Sequence, residues 1–107
     1  MQDLQSVCVM LKTHPMVALY FGAPTCNVCH VLEPKLRAAI REEFPDAVFR
    51  DVDTSASPDI AARFSVFTVP TLLVFFEGKE VVRKSRHMGI GEVIEAIRRP
   101  YDMLKSH

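Results

Sequence analysis

Six consecutive apolar residues, Met16 to Phe21, run into Gly22, Ala23 and Pro24 and then into a helical repeat that opens on Cys26 and Cys29. The run has no polar face and is far shorter than the roughly 20 residues of a membrane span, so it reads as a strand covered on both sides. A strand of that kind belongs inside a sheet with helices on both faces.

From Thr25 the apolar residues Val28, Leu32, Leu36, Ile40 and Phe44 fall four apart, and Ala39 widens the stripe. That spacing predicts a helix from about Thr25 to Phe44. Pro34 lies inside it and is expected to kink it, because its ring removes one hydrogen bond and displaces the carbonyl four residues back. Cys26, Asn27, Val28 and Cys29 then occupy the first turn, where backbone N–H groups lack partners and the helix dipole favours negative charge. A cysteine ordinarily titrates near about 8.5, and helix N-termini or CxxC motifs bring it to roughly 3.5–7.5. Cys26, nearest the open end, is the expected nucleophile. Cys29, one turn further in and more shielded, is close enough to close a disulfide with Cys26 and is the expected resolving thiol.

The rest of the chain supplies a small α/β domain. Leu4, Val7, Cys8 and Leu11 repeat at helical spacing and predict a first helix that stops before His14 and Pro15. On that stripe Cys8 reads as a small buried hydrophobe. Residues 48–52 predict a second strand with one face less buried. Ser57 before Pro58 places a capping residue ahead of proline at the first helical position, and Ile60, Ala61 and Phe64 supply a short stripe. Thr71 to Phe76 is a second central strand, and Glu77, Gly78 and Lys79 turn it into a hairpin with residues 80–86. Val93, Ile94 and Ile97 define a last helix running towards Pro100, after which Tyr101 to His107 adds one turn or frays. A right-handed βαβ crossover joins the first two strands, and the hairpin must be antiparallel. The expected fold is a mixed four-stranded sheet in the order 48–52, 16–21, 71–76, 80–86, within a single domain spanning residues 1–107.

Composition narrows the partners. Lysine plus arginine equals aspartate plus glutamate at 13 each, so no global field attracts nucleic acid or anionic lipid. The basic cluster Arg83, Lys84, Arg86 and His87 reads as a solvated edge strand guarded against aggregation. No apolar stretch reaches a membrane-span length, and residues 1–12 carry Asp3 and no basic region ahead of a long apolar core, unlike a secretory signal. Three cysteines in such a chain point to a reducing, cytoplasmic setting, where a CxxC is redox-active or metal-binding rather than structural.

The ordered set of apolar strand, CxxC opening a helix, Pro34 five residues after Cys29, Val69-Pro70-Thr71 leading a buried strand, Gly-containing hairpin and terminal helix resembles the thioredoxin family. The resemblance runs from Met16 to about Arg99 and implies a thioredoxin-like fold and a thiol–disulfide oxidoreductase that needs no bound cofactor or metal. It implies disulfide-bearing protein substrates, and a dithiol protein, flavoprotein reductase or small thiol as electron donor. Pro70 takes the role of the family's cis-proline facing the disulfide, and Val69 that of the residue whose backbone pairs with bound peptide. Thr25, Asn27 and Val28 stand as supporting residues of the motif, with Phe67, Thr68 and Thr71 shaping the groove.

Departures from the family pattern carry their own expectations. Thioredoxins proper read Trp-Cys-Gly-Pro-Cys, whereas this chain reads Thr25-Cys26-Asn27-Val28-Cys29 and has no tryptophan. Their buried acid six residues before the first cysteine is Tyr20 here, and the accompanying lysine maps to Phe49 or, in a shifted register, to Asp51. Cys29 is thereby left without the family's internal base. The family's usual first strand is expected to be absent or rudimentary. Residues 48–52 then form a sheet edge, and the protein is a monomer or a weak homodimer through that edge.

Other chemistries fit parts of the pattern. Cys26-Asn27-Val28-Cys29-His30 also spells a c-type haem attachment motif, but three apolar strands surround it and no export signal precedes it. Zinc would need two further ligands from Cys8, His14, His30 or His87, and two chains could share an iron–sulfur cluster through their CxxC pairs. A redox-inert peptide-binding adaptor would need neither cysteine of the motif.

Overall fold

The computed structural model describes residues 3–105, so the end of the C-terminal tail, residues 106 and 107, lies outside the described residues. Its elements are α1 (Leu4–Thr13), β1 (Met16–Gly22), α2 (Asn27–Glu43), β2 (Val48–Asp53), α3 (Pro58–Arg63), β3 (Thr71–Phe76), β4 (Lys79–Ser85) and α4 (Ile90–Lys105). The four strands lie in the order β2-β1-β3-β4. β1 runs parallel to β2 and antiparallel to β3, and β3 pairs antiparallel with β4. Order and architecture match the sequence expectation, with strand ends moved by one residue. Among the described residues no strand precedes Met16.

The central strands are apolar throughout because each face serves its own core. Met16, Ala18 and Tyr20 of β1 join Leu72, Val74 and Phe76 of β3 in one cluster with Leu36 and Ile40 of α2 and Val93 and Ile97 of α4. Val17, Leu19 and Phe21 join Leu73 and Phe75 in a second cluster with Val7, Met10 and Leu11 of α1 and Ile60 of α3. Side chains alternate between faces along a strand, so a strand buried on both sides shows no polar period.

Several local features depart from the sequence reading. Val28 is 61% exposed, while Cys29, Leu36 and Ile40 are buried. At 3.6 residues per turn Cys29 lies about 20° around the helix from Leu36 and Val28 about 80°, so the buried face runs through the second cysteine. α2 begins one to two residues later than expected, with Cys26 in an extended conformation as its N-cap, while Pro34 lies inside it as the sequence indicated. In α1, Met10 takes a core position and Cys8 is only half-buried. Ser57 occupies the N-cap of α3, but its side chain makes no capping hydrogen bond.

Of the two outcomes open for the last helix, an added turn or fraying, the structure shows the turn. It continues through Pro100 to Lys105 because Tyr101 is buried against Phe44, 4.7 Å between ring centroids, and because Lys105 pairs with Asp46 and Arg98 with Glu43. Packing overrides the proline's local preference. In the hairpin, Glu77 and Gly78 both have positive φ, 52° and 84°, which suits a two-residue turn between twisted strands. β4 carries one extra residue, since Val74 pairs with Val82 but Phe75 pairs with Glu80. Val81 is the bulged position. Among the described residues no helix is long and apolar enough to cross a membrane.

Candidate active site

β1 delivers the chain to the site and Gly22 lets it close up. A Cβ built on Gly22 would stand 3.2 Å from Cys29 Cβ and 3.5 Å from Cys29 Sγ. A side chain there would need α2 to give by a few tenths of an ångström, so what glycine supplies is room for close approach and not backbone freedom. Cys26 and Cys29 form a disulfide, with Cα atoms 5.3 Å apart. The two sulfurs are unequal in access: Cys29 is 3% exposed, whereas Cys26 is half-buried. Cys26 Sγ also accepts the Cys29 N–H at 3.2 Å, so the N-cap of α2 is itself a sulfur.

The remaining site residues fall around this pair. The Val69–Pro70 peptide bond is cis, and the carbonyl of Pro70 accepts the Arg86 N–H at 2.8 Å. Thr71, which follows, pairs with Phe21 in register, so Pro70 lies at the same end of the sheet as Gly22 and the disulfide. Val69 and Cys26 both pack against the cluster that contains Cys29. Asn27 and Val28 line an apolar surface cavity of about 590 Å3 with Val31, Leu32 and Met88, rimmed by Lys35, Arg86 and His87. Thr25 is exposed ahead of the motif. Phe67, 84% exposed, lines a neighbouring cavity of about 380 Å3 with Thr68 and Val69. His30 bonds through Nε2 to the Pro24 carbonyl at 2.9 Å. Among the described residues no three of His, Cys, Asp and Glu gather where they could hold a metal ion.

Beneath the disulfide the polar groups are unusual. Tyr20 is buried and its hydroxyl donates to the Cys29 carbonyl at 3.0 Å, while its ring stacks on Phe49 with centroids 6.1 Å apart. Burial first, and then the charges of Asp51 and Glu33, push the Tyr20 phenol up to about 12. Asp51 stands opposite Tyr20 in the β1–β2 register. Partial burial, followed by the hydrogen bond and charge of Glu33, pushes Asp51 up to about 6 against the opposing pull of Arg37. Glu33 is held by Arg37 at 2.8 Å.

The thioredoxin family model matches residues 6–98. This chain belongs to the thioredoxin family. It is 33% identical over 101 residues to the thioredoxin-like protein YdfQ of Bacillus subtilis, covering 94% of this chain and 89% of that one. To thioredoxin of Chlamydia trachomatis it is 40% identical over 68 residues, 64% of this chain and 66% of the other. Thioredoxin 1 of Thermosipho africanus superposes with a TM-score of 0.76 at 29% identity, covering 83% of this chain and 98% of its own. A thioredoxin-family chain with a closed CxxC pair is a thiol–disulfide oxidoreductase, and the family works with disulfide substrates and reductases.

Two features of this thioredoxin-family site escaped the sequence reading. Gly22 was read as a strand end, although its signal, a glycine four residues before the first cysteine, was visible. The Glu33–Asp51 pair was invisible until register placed one acid opposite Tyr20 and helix phase placed the other on the Cys29 face. The pair has a consequence for stability. An unfolded aspartate titrates near about 3.9, so between roughly pH 4 and 6 the folded state holds a proton that the unfolded state has lost, and stability falls as pH rises through that window. Asp51→Asn removes the effect. Its stability should match wild type near pH 4 and exceed it at pH 7–8, by an amount that the exposure of Asp51 limits to about 1 kcal/mol. A thermal melt series across pH checks the sign.

Proposed function

We propose that this chain exchanges disulfides with protein substrates, as a single thioredoxin-like domain over residues 1–107. Cys26 is the attacking sulfur, Cys29 the resolving sulfur, and Pro70 with Val69 forms the edge against which a substrate strand lies. The observation that carries the reading is the unequal access of the two bonded sulfurs at the start of α2: the half-buried Cys26 can be reached by a substrate, and the buried Cys29 can be reached only by Cys26.

In the reduced protein the Cys26 thiolate, favoured by the helix N-terminus, attacks one sulfur of a substrate disulfide. A mixed disulfide forms and the other substrate sulfur leaves as a thiolate that takes up a proton. Cys29 then loses its proton and attacks Cys26 Sγ, which closes the Cys26–Cys29 bond and releases the second substrate sulfur. Two electrons have moved to the substrate. A dithiol protein, a flavoprotein reductase or a small thiol returns them. Asn27, Val28 and Thr25 border the reacting sulfur, and the apolar cavity beside Val28 offers a contact for the substrate's side chains. No bound cofactor enters these steps. The setting that suits them is a reducing one such as the cytoplasm, with a part in redox homeostasis and with the protein as a monomer or a weak homodimer through β2.

Cys29→Ser tests the assignment. The variant should accumulate a covalent complex with a disulfide-bearing protein, sensitive to dithiothreitol and mapped to Cys26 by mass spectrometry. A variant that forms no adduct, or one linked through Cys8, would overturn the roles given to the two sulfurs.

A further inference from the structure

Resolution of the mixed disulfide requires the Cys29 thiol, itself 3% exposed, to surrender a proton. The groups that face it can be taken in turn. From β1, the Tyr20 hydroxyl is committed as a donor to the Cys29 carbonyl and, with its phenol at about 12, accepts nothing near neutral pH. From α2, His30 donates through Nε2 to the Pro24 carbonyl and stands exposed at the rim of the cavity that Cys29 lines. From β2, Asp53 is taken up by Ser55 and the Ala56 N–H. Glu33 and Asp51 are the two carboxyls there that act on one another. Glu33 lies one turn beyond Cys29 on the same face of α2, its side chain is 16% exposed, and Arg37 holds it. Asp51 projects from β2 beside Tyr20. Both carboxyls share with Cys29 a cavity of about 340 Å3, and at about 30 Å3 per water molecule it has room for a short chain of waters.

We propose that the Asp51 carboxylate, positioned by Glu33 and Arg37, accepts the proton of the resolving Cys29 thiol. This rests on the disulfide-exchange reading above. Two neighbouring carboxyls do not ionise independently; Arg37 on Glu33 leaves Asp51 as the member that takes up the shared proton. With Asp51 at about 6 it is ionised at neutral pH yet more basic than an ordinary aspartate, as a general base should be. In the step, the proton of Cys29 Sγ passes across the cavity to Asp51 while the sulfur's electron pair forms the bond to Cys26 Sγ. The bond from Cys26 to the substrate sulfur breaks, and the departing thiolate is reprotonated from Asp51 through solvent. No outside oxidant is consumed. Glu33 is a positioning residue in this scheme.

The experiment uses the full chain in a Cys8→Ser background, reduced and mixed in stopped flow with excess of a symmetrical chromogenic aromatic disulfide. Attack by Cys26 releases one coloured thiolate in a concentration-dependent phase. Resolution by Cys29 releases the second in a unimolecular phase. The wild-type second phase should slow in acid with a midpoint near pH 6. Asp51→Asn should lose that limb and resolve about tenfold or more slowly at pH 7, converging with wild type in alkali where hydroxide serves. Glu33→Gln, which removes the like charge, should keep the limb and move it at least about one pH unit lower. The first phase should be unchanged in both. Folded variants that both keep the wild-type second-phase rate and profile would overturn the inference. A wild type with no second phase would instead overturn the exchange reading itself.

Discussion

Cys26→Ser is expected to reduce disulfide exchange to the background rate of the electron donor alone. Serine preserves the size of the side chain and its capacity to cap α2, so the fold should be unaffected. The hydroxyl, however, does not ionise near neutral pH and forms no bond to a substrate sulfur that Cys29 could later break. Reduction of a disulfide-bearing protein with a small dithiol as donor, followed beside a far-ultraviolet spectrum, separates loss of chemistry from loss of structure. Retained exchange in the folded variant would mean that Cys29 is reached directly, against its 3% exposure.

The largest effect on stability should come from Phe44→Ala. Phe44 is fully buried, closes α2 with its N–H on the Ile40 carbonyl at 2.8 Å, and faces Tyr101 of α4 with centroids 4.7 Å apart. The Arg98 guanidinium covers the same ring at 5.4 Å. One ring therefore joins the ends of two helices that lie on the same face of the sheet. Truncating a buried phenylalanine costs about 3–5 kcal/mol, a large share of the roughly 5–15 kcal/mol that holds a domain of this size together. The melting temperature should drop by roughly 15–30 °C, and the turn of α4 beyond Pro100 should lose helicity with it. A drop under about 5 °C would mean that the two helix ends collapse into the space without cost.

How far the fold could be read depended on whether a residue's neighbours are local. β1 and β3 were legible because a strand covered on both faces needs only an unbroken apolar run, and the hairpin because Gly78 supplies the positive φ of its turn. Whether α4 gains a turn beyond Pro100 or frays was open in the sequence, because nothing near Pro100 announces that Tyr101 meets Phe44, 57 positions earlier. The bulge at Val81 left no signal, since it changes register without changing composition. At the site the two cysteines and Pro70 were visible as motif. Asp51 stood out only as one of two positions for a missing lysine, because its meaning lies in a cross-strand partner, Tyr20, and in a helix neighbour, Glu33. A spacing of four puts Val28 on the apolar stripe of α2, but that spacing drifts around a helix of 3.6 residues per turn while a spacing of seven nearly closes on itself.

The sulfur of Cys26 terminates α2 by receiving the amide of Cys29. One atom thus serves as electron carrier and as structural fastening, and the fastening does not depend on the sulfur–sulfur link. An ionised sulfur is a stronger acceptor than a bonded one, so the fastening tightens when the link opens. The first turn of α2 is then expected to be held more firmly in the reduced protein than in the oxidised one.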